Sequence, residues 1–168
     1  MTLAGTRWRA RLLVAGVLLV GLTASGARCH SGLYVLEAES AWVEGCIEGP
    51  CLCPVSQGPL TGRFNLEELP TLQPGPARYF EISAIRWLIG SGPDAREVTG
   101  HGFYTTSAPV LDDQQLVLEL EIDGDPIGSI DSGVVPGGLA FPRIAIQALT
   151  AGSCFQSGVI LQAVPFGA

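Results

Sequence analysis

From Gln115 to Asp123 the side chains alternate without a break. Leu116, Leu118, Leu120 and Ile122 fall on one side, and Val117, Glu119, Glu121 and Asp123 on the other. A period of two is the pattern of an extended strand with one dry face and one wet face. A helix would repeat its apolar residues every three to four positions instead. Because the wet face is charged, the strand belongs to an antiparallel sheet covered on one side, since parallel strands are buried on both faces. Asp123-Gly124-Asp125-Pro126 follows at once. This is strong turn chemistry, so Ile127 to Ile130 returns as the second arm of a hairpin.

The rest of the chain follows the same theme. From Leu33 onward, short apolar or alternating runs are broken by Gly, Pro, Asp and Ser, and no window sustains a 3.6-residue period. The runs predict strands over 33–43, 60–66, 78–89, 97–106, 115–123, 127–130, 141–149 and 159–164, with one helical turn at Leu66 to Leu69 before Pro70. Arg78 to Ile89 carries apolar residues on both faces, as a central strand does. Gly100 and Gly102 mark a bulge or a close approach of another strand. Seven or eight short antiparallel strands predict an all-β domain, either an antiparallel β-sandwich or a small β-barrel. The alternation does not distinguish the two.

The N-terminus carries a different signal. Arg7, Arg9 and Arg11 form a basic region, Leu12 to Leu22 an apolar one, and Thr23 to Ala27 a run of small residues. That order predicts a cleaved signal peptide over 1–27 and a single domain over 28–168. The apolar run is shorter than the roughly 20 residues that a membrane-spanning helix needs. The mature chain is therefore expected to be secreted or periplasmic, with no membrane association after cleavage. The formal charge of the full chain is −7, with sixteen acidic residues and nine arginines but no lysine. Removal of Arg7, Arg9 and Arg11 takes it to −10. A surface of that sign repels phosphate backbones and anionic lipid heads, which speaks against nucleic acid as a partner. An unknown protein or a small ligand is the expected partner.

Cysteine is the next constraint. The mature chain retains Cys29, Cys46, Cys51, Cys53 and Cys154, three of them within a Cys-rich loop at 46–54 that also holds Pro50 and Pro54. In an oxidising compartment these residues are candidates for two structural disulfides with one thiol left over. The favoured arrangement ties Cys46 to Cys51 or Cys53 and uses Cys154 to staple the C-terminal strands to the loop or to Cys29. The alternative is a soft-metal site for Cu or Zn, with Cys46, Cys51 and Cys53 as thiolate ligands. His30 adds to it, because cleavage after Ala27 would make it the third residue, where an amino terminus can chelate Cu(II). Asp112, Asp113, Asp123, Asp125 and Asp131 are candidate oxygen ligands for Ca²⁺, although no EF-hand spacing is present. No other cofactor is indicated.

Catalytic signatures are sparse. The run LVLELEIDGDPIGSIDSG, a strand, a Gly-containing turn, a second strand and then Asp131-Ser132-Gly133, is similar to the start of retropepsin-like aspartic proteases. That resemblance covers about twenty residues and implies Asp131 as half of a catalytic dyad completed across a dimer. The family's flap hairpin and C-terminal helix do not fit in the 35 residues after Gly133. An ordinary turn accounts for the same three residues. His101 lies between two glycines, as an exposed strand histidine would. Tyr79 and Trp87 share the parity of one strand face, where they would pack in the core or stack on a sugar ring. With no nucleophile elbow and no phosphate loop, the sequence reads as a non-catalytic binding or structural module stabilised by disulfides.

Overall fold

A computed structural model describes residues 31–47, 50–70, 75–107, 110–152 and 154–167. The signal peptide expected over 1–27, and with it Cys29 and His30, lies outside the described residues. Among the described residues, every strand belongs to one antiparallel sheet of ten strands. They are β1 (Gly32–Leu36), β2 (Ala41–Gly45), β3 (Ser56–Glu68), β4 (Arg78–Ile89), β5 (Arg96–Thr106), β6 (Asp113–Ile122), β7 (Asp125–Asp131), β8 (Val135–Pro136), β9 (Ile144–Thr150) and β10 (Gln156–Pro165).

The pairings run round in a ring. From β3 to β7 each strand pairs with the next in sequence, β7 then pairs with β9, and β9 with β10. The ring returns through β1 and β2, which lie end to end between β10 and β3. It is not a regular barrel. At the β7–β9 seam only Ile130↔Thr150 and Asp131↔Leu149 are in register, and β8 branches off to pair with β6.

Alternation explains what fills the ring. Leu116, Leu118, Leu120 and Ile122 are buried, as their period of two predicts, and they meet Phe80, Trp87, Val98 and Tyr104 in one core. Tyr34 stacks on Phe64 at 5.4 Å between ring centroids, and Phe64 meets Trp87 edge-on at 6.1 Å. Close approach of β5 and β6 depends on glycine. A Cβ on Gly100 or Gly102 would collide with the backbone oxygens of Glu119 and Val117 and with the leucines beside them.

Three expectations need correction. The strand expected over 33–43 is broken at 37–40, where the Glu37 amide still donates to the Gln162 carbonyl (2.8 Å) but the buried Ser40 hydroxyl, also donating to that carbonyl (2.8 Å), is what accepts from the Gln162 amide (3.0 Å). That split, together with the two-residue β8, makes ten strands where seven or eight were expected. No helical turn forms at 66–69, because β3 continues to Glu68, whose carboxylate takes two hydrogen bonds from Arg78 (2.8 and 2.7 Å). Finally, β4 is bulged at Ser83–Ala84, with Ala84 at φ 50°. The extra residue reverses the strand's parity, so Phe80 and Ile82 point inward before it and Ile85 and Trp87 after it.

Candidate functional site

The weak seam is also where the surface is hollowed. Where β7 ends, the chain turns away from β9 to follow β6, and between the two lies an open depression of about 510 Å³. Asp131, Ser132, Gly133 and Val135 form one wall, Gln147, Leu149 and Thr150 of β9 another, and Ala151, Gly152 and Gln156 the end. Its donors and acceptors are amides, hydroxyls and one carboxylate.

Local hydrogen bonds hold the first wall. Asp131 Oδ1 accepts from the Gly133 amide (2.8 Å) and from Gln115 Nε2 (3.0 Å). Ser132 Oγ accepts from the Leu116 amide (2.9 Å) and donates to the Gly133 carbonyl (2.7 Å). Aspartate, serine and glycine here make an Asx-type turn, with Gly133 supplying φ 61°. Of the two roles read from the sequence, this geometry realises the turn. Asp131 also faces the depression, but among the described residues no second carboxylate lines it.

Behind the wall, a buried side chain bridges the gap in the sheet. Gln114 Nε2 donates to the Pro136 carbonyl (3.0 Å) and to the Ala145 carbonyl (2.9 Å), while its Oε1 accepts from the Tyr104 hydroxyl (3.1 Å). Gly137 is required beside it, since it has φ 122° and a Cβ there would run into the Gln114 amide. Nothing in the sequence pattern singles out Gln114 beyond its place one step before the alternating run, on the inward parity.

The far end of the depression is fixed covalently. Cys46 is bonded to Cys53 and Cys51 to Cys154, with Cα–Cα distances of 5.2 Å in both. Cys154 lies in the turn between β9 and β10, the same turn that supplies Ala151 and Gly152, so the Cys-rich loop anchors one end of the hollow. Gly45 (φ 138°) leads into the loop, and a Cβ there would strike the Pro54 backbone. In this paired state Cys46, Cys51 and Cys53 offer no thiolate to Cu or Zn, which removes the sulfur half of the soft-metal reading. Two bridges in a β-domain fit maturation in an oxidising compartment, extracellular or periplasmic. Among the described residues no helix is long and apolar enough to cross a membrane.

The other candidates do not converge. Asp123 and Asp125 sit at one end of the β6–β7 hairpin and Asp112 and Asp113 at the other end of β6, ten residues or about 30 Å away. Asp123 caps the Glu97 amide (2.9 Å) and Asp112 the Leu139 amide (3.0 Å). Among the described residues no three of His, Cys, Asp and Glu come together to hold a metal. His101 is exposed and stands opposite Glu119 in register, 3.4 Å away. Tyr79 and Trp87 do not share a face: the bulge in β4 leaves Tyr79 outside and Trp87 in the core. No protein-family model, curated protein or solved structure matches the chain.

Proposed function

We propose that this is an exported, non-catalytic binding module whose ligand occupies the depression between the Asp131–Gly133 turn and the β9–β10 turn. The observation that carries this reading is the coincidence of three features there. The sheet is least paired, the surface is hollow, and the far wall is disulfide-anchored. Binding sites gain affinity when their walls are held before the ligand arrives, and a cross-linked turn is such a wall. Among the described lining residues there is one carboxylate with amides and hydroxyls, no cation and no aromatic ring, which suits a small, polar, neutral or cationic ligand. Anions are disfavoured by Asp131 and by the net charge.

The test is a titration of the full chain, followed by amide NMR shifts, with a panel of monosaccharides, free amino acids and polyamines. Saturable shifts clustered on Gly133, Thr150 and Gly152, lost in Gln147→Ala, support the site. No shifts, or shifts elsewhere, count against it. The retropepsin-like reading differs in what it requires, because it takes a second Asp131 from a dimer partner. Casein hydrolysis by a folded dimer, abolished by Asp131→Asn, would favour that enzyme over the binding module.

A further inference from the structure

On the side of the ring opposite the depression, β3 and β4 place Arg63 and Arg86 directly across from each other. Opposed residues of an antiparallel pair have Cα atoms about 4.5–5.5 Å apart, and like charges so placed destabilise the sheet. The chain's other described arginines are compensated. Arg78 pairs with Glu68, Arg96 with Glu44 and Arg143 with Glu37. Among the described residues, Arg63 and Arg86 have no ion-pair or hydrogen-bond partner. The nearest carboxylate on the β5 side is diagonal, not opposed: Glu97 stands across from Leu88, two residues along from Arg86. Val35 lies opposite Arg63 on its other side, Thr61 and Asn65 flank it along β3, and Ser83 and Leu88 flank Arg86. The β4 bulge falls at this point. The β3–β4 register shifts between Arg63 and Asn65, and Ala84 is held at φ 50° two residues before Arg86. Bulges re-aim side chains, and a non-glycine residue in the left-handed region is a strained backbone that concentrates at ligand sites.

We infer that Arg63 and Arg86 together form a binding site for an oxyanion group, a phosphate or sulfate, held between the two guanidiniums. Each guanidinium presents a planar fork of N–H donors matched to such oxygens, and the anion cancels the repulsion that the register imposes. The group can arrive as a free ion or as a substituent on a larger molecule, and the two are separated by the probes below.

The experiment is a calorimetric titration of the full chain with inorganic phosphate, inorganic sulfate and glucose 6-phosphate at constant ionic strength set with chloride, alongside Arg86→Gln and Arg63→Glu. Losing one charged donor set is expected to weaken binding at least about tenfold in Arg86→Gln, because hydrogen bonds between a guanidinium and an oxyanion are stronger than those between neutral groups. Arg63→Glu, which exchanges the clash for a cross-strand ion pair, is expected to abolish binding and to raise the thermal midpoint in chloride. Comparable affinity for glucose 6-phosphate and phosphate identifies the group as the ligand, and binding of the inorganic ions alone identifies a free oxyanion. The inference is overturned if no probe binds, or if Arg86→Gln and Arg63→Glu bind as the parent does.

Discussion

Gln114 Nε2 lies 2.9 Å from the carbonyl oxygen of Ala145, and this side-chain bond spans the part of the seam where no β7–β9 ladder exists. Replacing Gln114 with Leu keeps much of its volume but leaves the carbonyls of Pro136 and Ala145 and the Tyr104 hydroxyl without this partner. Buried polar atoms left unsatisfied cost about 1–3 kcal/mol each, so chemical denaturation should show a loss of roughly 3 kcal/mol. Gln114→Glu should be worse at neutral pH than in mild acid. An ionised carboxylate would face two carbonyl oxygens, whereas a protonated one can still donate to one of them.

Gly102 has a single steric role. Its Cβ would meet the Val117 carbonyl and Leu118 across the β5–β6 ladder, so Gly102→Ala must push the strands apart. Overpacking of a tight core costs roughly 1–3 kcal/mol. A denaturation midpoint unchanged from the parent would contradict the close approach.

Alkali should expose the buried phenols. Burial raises Tyr34 to about 12, with Arg78 acting weakly against it, and Tyr34 has no hydrogen-bond partner among the described residues. Burial also raises Tyr104, opposed by its hydrogen bond to Thr106. Both groups hold their protons more tightly folded than unfolded. Their contribution to stability is full below the ordinary value of 10 and is lost as pH rises towards 12. Each tyrosine can add a slope of at most about 1.4 kcal/mol per pH unit in that window. Stability measured across it should fall, and Tyr34→Phe should flatten the fall.

The architecture was legible where one period ran uninterrupted. The inward face of β6 follows from Leu116, Leu118, Leu120 and Ile122 alone, and the bounds of β4 at Arg78 and Ile89 are set by the turns on either side. Strand faces were not legible across a bulge. Ala84 is an ordinary residue in an unusual conformation, and without that knowledge Tyr79 and Trp87 share a parity that the fold denies them. The break at 37–40 was hidden for a related reason. There the Gln162 amide is satisfied by a serine hydroxyl in place of a strand carbonyl, and a serine has no compositional mark. At the site, the sequence pointed to Asp131 and to the Cys-rich loop separately. What joins them is the Cys51–Cys154 bridge, one of several connectivities that five cysteines allow. Gln114 was unreadable, because a glutamine beside a strand is by default a solvated surface residue.

The central claim is that the Cys-rich loop is a fastening for the wall of the binding depression. Amide hydrogen exchange, compared between the parent and the Cys51→Ser/Cys154→Ser variant, tests it most directly. The account predicts that the Ser157 amide, which donates to Thr150 Oγ1 across the turn (3.0 Å), loses protection in the variant, while the amides of β4, β5 and β6 keep theirs relative to the variant's own global stability. Unchanged protection at Ser157, with the bridge gone and the core intact, would contradict it.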